Sequence, residues 1–184
     1  MLYPLSYGRA RPYCTARAAP VITSRQAMAP SPAPWLAFLA PLPDGVMPRR
    51  TPVAAPGTAG AAPDSPIAGW ESLVLDLPDM PFGIRVLSVT LDARGTPIAA
   101  TDQVMHRDVD AAGQPRTAPP RMRQESVGGR IEDDGSIGGT HWIIEGSEVD
   151  GDEPPPDWQR TSRAPTADET RRLLALVRDV VARC

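Results

Sequence analysis

Alternating apolar and polar residues in the middle of the chain predict a first β-hairpin. In "IRVLSVTLD" (84–92), Leu87, Val89 and Leu91 recur at every second position, which is typical of a β-strand. The turn sequence "DARGT" follows, and its Gly95 can adopt the positive φ that a short hairpin loop requires. We therefore expect "PIAATDQVMHRD" (97–108) to run back as the partner strand. The apolar run "LVLDLP" (73–78) upstream favours another strand.

A second hairpin is predicted in "RQESVGGRIEDDGSIGGTHWIIEG" (123–146), where "EDDGS" has the same turn chemistry as the first loop. If residues 133–135 form the loop, Glu132 pairs with Ser136 and the register follows by counting outward. The resulting pairs are Ile131 with Ile137, Gly129 with Gly139, Val127 with His141, Glu125 with Ile143 and Arg123 with Glu145. This register places His141 diagonally across from Glu125 on one face, roughly 7–8 Å apart at the backbone.

The end of the chain, "PTADETRRLLALVRDVVARC", predicts an amphipathic helix. Thr166 as N-cap and Glu169 at the third helical position form a capping box. Apolar residues then recur at helical spacing, so one face of this helix should pack against the sheet. "GDEPPPDWQR" (151–160) before it is interpreted as an extended connector fixed by Trp158. The expected fold is α+β, with a small antiparallel sheet built from two β-hairpins and packed by one C-terminal helix.

The first 66 residues contain 13 of the 23 prolines, separated mainly by small residues. Such a segment buries too little apolar area to offset its chain entropy, so residues 1–66 are predicted to be a disordered Pro/Ala-rich arm. Residues 67–184 would then form a single small α+β domain. Three alternatives for the arm stay open: a secretory signal, a transit peptide, or a gene-model extension with Met28 or Met47 as the true start.

Charge and cysteine content narrow the class of protein. Residues 1–66 carry a net charge of +4 and the remainder −7, which together give the −3 of the whole chain. An acidic domain argues against nucleic-acid binding, which needs a basic face. No apolar run reaches the roughly 18–20 residues of a membrane helix, so we expect a soluble protein with no membrane partner. Cys14 and Cys184 form no disulfide framework, which favours a reducing, cytoplasmic location.

The two histidines are the candidate site residues. His106, His141 and Glu125 could supply nitrogen and oxygen ligands to a zinc or iron ion, and His141 oriented by Glu125 could act as an acid or base. The chain lacks a HExxH motif and paired cysteines, so no metal and no cofactor are expected. The more ordinary interpretation is that each histidine is a polar residue on a half-solvated sheet face.

The leading hypothesis is a non-catalytic binding or protein-interaction module, with an unknown protein partner or self-association through an exposed sheet edge. The alternative is an enzyme or ligand-binding domain with a pocket between sheet and helix that uses His141 and Glu125. The pocket requires the histidines and Glu125 to converge on one cavity, whereas a scaffold leaves them apart. A third hypothesis is that the proline-rich arm itself recruits a partner.

Overall fold

The computed structural model describes residues 31–53, 67–110, 112–148 and 157–184. They form one seven-stranded antiparallel sheet, in which each strand pairs with its neighbours in the chain, and one C-terminal helix. The α+β class is confirmed. The elements are a 3₁₀ helix (Pro34–Leu36), β1 (Arg49–Pro52), β2 (Glu71–Asp79), β3 (Gly83–Leu91), β4 (Pro97–Arg107), β5 (Arg121–Ile131), β6 (Ile137–Ser147), β7 (Gln159–Arg163) and α1 (Ala167–Ala182).

Both predicted hairpins are present. Gly95 between β3 and β4 has a φ of 81°, and Gly135 between β5 and β6 has a φ of 77°, as their loops require. The second loop is closed by the Glu132 amide, which donates to the Ser136 carbonyl at 3.0 Å. Every predicted pair of the second hairpin is observed, including Val127 with His141 and Glu125 with Ile143.

The sheet is larger than the two hairpins that the sequence predicted. β1 and β2 extend it on one side, and β7 extends it on the other, where a connector was expected. Trp158, just before β7, packs its indole directly on Gly146 of β6. The fit is so close that a Cβ added at Gly146 would lie only 1.9 Å from Cδ1 of the indole. The indole Nε1 donates to the Ser147 carbonyl at 2.7 Å. Trp158 thereby holds the chain against β6, and the residues that follow it pair with β6 as strand β7.

The inner face of the sheet, defined as the face that packs against α1, carries the core. Leucines and valines of β2 to β5 alternate onto this face and pack against one side of the helix. The helical members of the core are Leu173, Leu176, Val177 and Val180. The predicted capping box is confirmed, because the Glu169 amide donates to Thr166 Oγ1 and the Thr166 amide donates to Glu169 Oε2. No helix among the described residues is long and apolar enough to cross a membrane.

Residues 31–53 are ordered, so the prediction of disorder is wrong for this part of the arm. Leu36, Leu39 and Leu42 are buried within the core clusters of the inner face. Arg172 of α1 also donates to the Leu39 carbonyl at 2.8 Å. Three leucines at a spacing of three residues bury enough apolar surface to order a proline-rich segment. The remainder of the predicted arm, residues 1–30 and 54–66, lies outside the described residues.

Candidate functional site

The predicted proximity of His141 and Glu125 is observed. Both residues lie on the inner face, and His141 Nε2 is 3.0 Å from Glu125 Oε1. The His141 side chain is almost completely buried, with 5% of its surface exposed, whereas Glu125 retains 19%. The hairpin register alone brings the two together, because alternate residues of neighbouring strands share a face.

Glu169 is a second carboxylate partner of His141 that the sequence did not reveal. Its Oε1 lies 2.9 Å from the buried His141 Nδ1, a close ionic approach that is not a hydrogen bond. Arg163 of β7 donates to both Glu169 oxygens, at 2.6 and 2.7 Å. Hydrogen bonding from Arg163 is the largest cause that lowers the pKa of Glu169 to about 2; burial opposes it and Thr166 adds to it. The capping box identified Glu169, but only the docked helix shows which strand residue it meets.

Phe38 of the N-terminal segment is the third neighbour of His141, after Glu125 and Glu169. Its ring stacks on the imidazole of His141 with a centroid separation of 5.2 Å and an interplanar angle of 26°. His141 thus lies where strand β6, the first turn of α1 and the N-terminal segment meet. The nearest hollow measures about 150 Å³ and is lined by His141, Ile143 and residues 161–163. That volume is below the ~300 Å³ at which small-molecule pockets begin.

His106 lies elsewhere on the inner face. In the register it pairs with Arg123, and it lines a separate hollow of about 330 Å³ with that residue and Glu145. His106 lies in the row of Glu145, which is four residues from His141 along β6, or roughly 13 Å. It is also two strands away from His141, or roughly 10 Å across the sheet. Burial lowers the pKa of His106; Glu125 opposes this shift and Arg123 adds to it. The two histidines therefore do not converge on one cavity.

A metal-binding arrangement is not found among the residues that the structure describes. They contain no group of three His, Cys, Asp or Glu side chains placed to hold an ion. The pair of His141 and Glu125 has the geometry for proton exchange between an imidazole and a carboxylate. A catalytic or metal-binding role of His106, His141 and Glu125 stays a prediction.

A fully buried ion pair lies beside this cluster and was also missed. Arg85 Nε donates to Asp102 Oδ1 at 2.7 Å, and both side chains have no exposed surface. Arg85 Nη1 also donates to the Trp35 carbonyl, and the Leu39 amide donates to Asp102 Oδ2. Burial raises the pKa of Asp102, and the guanidinium of Arg85 opposes that rise. The pair anchors the N-terminal segment to the sheet.

The sequence did contain a signal for this ion pair. Arg85 occupies the apolar phase of β3, which continues with Leu87, Val89 and Leu91. A charged residue in that phase faces the core and needs a partner of opposite charge there.

The outer face of the sheet, opposite α1, has a different character. Its central positions on β3 to β6 carry no charged residue, although charged residues make up 22% of the chain. These positions are Ile84, Val86, Ser88, Thr101, Gln103, Met105, Gln124, Ser126, Gly128, Thr140, Trp142 and Ile144. Charges begin at the margin, with Asp76, Arg130 and Arg160. Most of the central side chains are partly exposed, so this face is an accessible and uncharged surface.

Comparisons with known proteins add no family assignment. No protein-family model matches the chain, and neither the curated proteins nor the solved structures include a significant match.

Proposed function

We propose that this chain is a non-catalytic protein-interaction module that self-associates, with two copies packed face to face through the outer faces of their sheets. The observation that supports this proposal is the uncharged centre of the outer face. Surfaces that stay in water normally carry charged residues, whereas the centre of an interface is depleted of them and enriched in aromatic residues and methionine. Trp142 and Met105 lie within this centre, and the charged residues surround it.

The centre of the outer face is self-complementary. Consider a two-fold axis that lies midway between the two stacked sheets, runs parallel to the strands and passes between β4 and β5. It reverses the strand order and keeps the rows, so β3 of one copy lies over β6 of the other. In the row of register partners Val86, Gln103, Ser126 and Trp142, it brings Val86 over Trp142 and Gln103 over Ser126. In this row apolar residues meet apolar ones and polar residues meet polar ones; in the next row Ile84 meets Ile144, whereas Met105 meets Gln124. Because the strands of two aligned sheets cross at about 30°, facing residues of the two copies match most closely at the centre of the contact.

The margins agree with the same axis. It places β2, which carries Asp76, over β7, which carries Arg160. In the register Asp76 then faces Ser162 and lies one row from Arg160, so these opposite charges approach only diagonally at the rim. Asp76 also pairs with Arg49 of its own chain. Arg160 already lies 5.8 Å from the centroid of the Trp142 ring, and its charge borders the uncharged centre.

The size of the outer face suits a stable contact. The uncharged centre, with four strands at about 4.8 Å and three rows of side chains at about 6.7 Å, covers roughly 390 Å². The charged margin, with a fourth row and the strands β2 and β7, extends the patch to roughly 770 Å². A standard protein interface buries about 800 Å² from each partner. A second copy of the chain therefore supplies a surface of the required area and chemistry.

The sheet edges suit self-association less well than the face. β1 has only four residues, of which Pro52 cannot donate a backbone hydrogen bond and Arg49 and Arg50 are charged. β7 has five residues, all exposed, and includes Arg160 and Arg163. Short edge strands with arginine and proline are features that prevent edge-to-edge pairing. We therefore place the contact on the outer face rather than at the edge.

The enzyme alternative has one supporting observation, the 3.0 Å approach of His141 to Glu125. His141 is nevertheless enclosed by Phe38 and the first turn of α1, and the adjoining hollow is small. An acid or base must reach the proton that it transfers. We therefore rank the interaction module first.

Sedimentation of the full chain tests this proposal. The monomer mass is 19.7 kDa, and we expect a reversible dimer whose population rises with concentration. Gln103→Arg places two like charges near the proposed axis and should shift the protein to monomer. Thr161→Arg adds the same charge at the β7 edge and should leave the dimer intact. A wild-type protein that stays monomeric at all concentrations, or a dimer broken only by Thr161→Arg, would overturn the proposal.

A further inference from the structure

A cavity of about 530 Å³ lies at one end of the outer face, outside the proposed dimer centre. Its volume falls within the range of about 300–1,000 Å³ that is typical of small-molecule pockets. Its apolar lining comes from Val53, Ile67, Trp70, Ile98 and Ala99, and Arg130 provides the charge.

The walls of this cavity are held by backbone contacts of the described residues. The Val53 amide donates to the Trp70 carbonyl at 2.9 Å, which joins the end of β1 to the start of β2. The Trp70 amide closes a tight turn on the Ile67 carbonyl at 3.1 Å. These bonds fix the backbone of Trp70, one of the residues that line the cavity.

A register shift in the sheet contributes the opposite wall. Thr90 pairs with Ala99 and Leu91 pairs with Pro97, so Ile98 is an extra residue of β4. Consecutive residues of a regular strand point to opposite faces, but Ile98 and Ala99 both line this cavity. The bulge allows two consecutive residues of β4 to contribute to the cavity wall, as such irregularities often do near binding sites.

Arg130 gives the cavity its charge preference. It pairs with Ala99 in the register, and its side chain is 78% exposed. Among the residues that the structure describes, its ion-pair partner is Glu132, at 3.9 Å, too far for a hydrogen bond. Of the described residues that line the cavity, Arg130 is the one with a charge. Its guanidinium is therefore available to a planar anion, which it can bind through two hydrogen bonds.

We propose that this cavity binds a small amphipathic anion, with its apolar body against Trp70 and Ile98 and its acid group on Arg130. A carboxylate on an aliphatic or aryl body of about ten carbons matches the chemistry and is smaller than the cavity volume. This site does not depend on the proposed self-association, because the cavity lies at the end of the outer face rather than at its centre.

The test titrates the full chain with decanoate below its micellar concentration and follows the indole N–H signals by NMR, with decanol as the neutral probe. The signal of Trp70, assigned with Trp70→Phe, should shift and saturate with decanoate. Decanol should bind about tenfold more weakly or worse, as expected when a charge-assisted hydrogen bond is lost. Equal binding of both probes, or no saturable shift of Trp70, would overturn the proposal.

Two variants locate the binding. Arg130→Gln should weaken decanoate binding about tenfold and leave decanol binding unchanged, since it removes only the charge. Ala99→Leu fills the cavity and should weaken both probes. Arg94→Gln is the matched control, because Arg94 is exposed in the first hairpin loop and does not line the cavity. A loss with Arg94→Gln equal to that with Arg130→Gln would show a nonspecific charge effect and contradict the site.

Discussion

Glu169 Oε1 lies 2.9 Å from His141 Nδ1, so the first turn of α1 is joined to the middle of β6. The same carboxylate accepts hydrogen bonds from the Thr166 amide and from Arg163. One side chain therefore caps the helix, pairs with the edge strand and approaches the buried imidazole.

Replacing Glu169 with Gln should destabilise the fold. The substitution keeps the shape but removes the charge that Arg163 and the helix N-terminus stabilise, at a cost of about 1–3 kcal/mol. Chemical denaturation measures the change in the free energy of unfolding. Asp168→Asn is the matched control, because Asp168 is exposed in the same turn and, among the described residues, pairs with Arg171 at the surface, so we expect a change of about 0.5 kcal/mol or less. Equal losses in both variants would contradict the role given to Glu169.

Stability should fall on acidification. The folded state lowers the pKa of Glu169 from 4.5 to about 2, so its carboxylate stabilises the fold above pH 4.5. That contribution is lost as the pH falls from about 4.5 through about 2. The lowered pKa of His106 acts in the same direction below its ordinary value of 6.5, because the folded state disfavours the protonated ring. Urea midpoints measured between pH 7 and pH 3 should fall, and Glu169→Gln should make that fall smaller.

Breaking the buried ion pair should be more costly than losing any surface pair. Asp102→Ala leaves the Arg85 guanidinium buried without a carboxylate, which costs about 3–5 kcal/mol. The double variant Arg85→Met/Asp102→Leu removes both charges and should recover much of that loss. Amide hydrogen exchange of Leu39 gives a local readout, since its amide donates to Asp102. A double variant no more stable than Asp102→Ala would contradict this account.

Gly146→Ala should release β7 from the sheet. The added Cβ would lie 1.9 Å from Cδ1 of the Trp158 ring, so the indole must leave its place on β6. We expect faster amide exchange in Gln159–Arg163 and a red shift of tryptophan fluorescence. Gly138→Ala is the control on the same strand, because its new Cβ would meet only the movable end of Glu132. Unchanged exchange in β7 would show that Trp158 does not hold this strand.

Local patterns were sufficient for the hairpins and the helix. The loop glycines Gly95 and Gly135 fixed the turns, and counting from the second loop placed His141 beside Glu125. The capping box of Thr166 and Glu169 fixed the start of α1. Each of these features depends on residues that are close in the chain, where turn and capping chemistry acts directly.

Features that depend on distant contacts were not predicted. The approach of Glu169 to His141 requires the helix to dock in one position on the sheet, which apolar periodicity alone does not specify. The order of residues 31–53 depends on Leu36 and Leu39 packing against a sheet formed later in the chain. Composition correctly showed a proline-rich segment but not the surface available to order it.

The most direct test of the face-to-face dimer is a cross-linking experiment between two single-cysteine proteins. Ser88→Cys and Thr140→Cys are made separately in a Cys14→Ser/Cys184→Ser background. Within one chain Ser88 and Thr140 lie in the same row on β3 and β6, about 14 Å apart. Across the proposed axis, Ser88 of one copy faces Thr140 of the other, over the ~10 Å that separates packed sheets.

A short bis-maleimide that spans this gap is added to each protein alone and to their mixture. The proposed dimer predicts that the mixture forms covalent dimers efficiently, while each protein alone forms few, because like positions are farther apart. Equal yields from all three samples, or no covalent dimer in the mixture, would contradict self-association through the outer face.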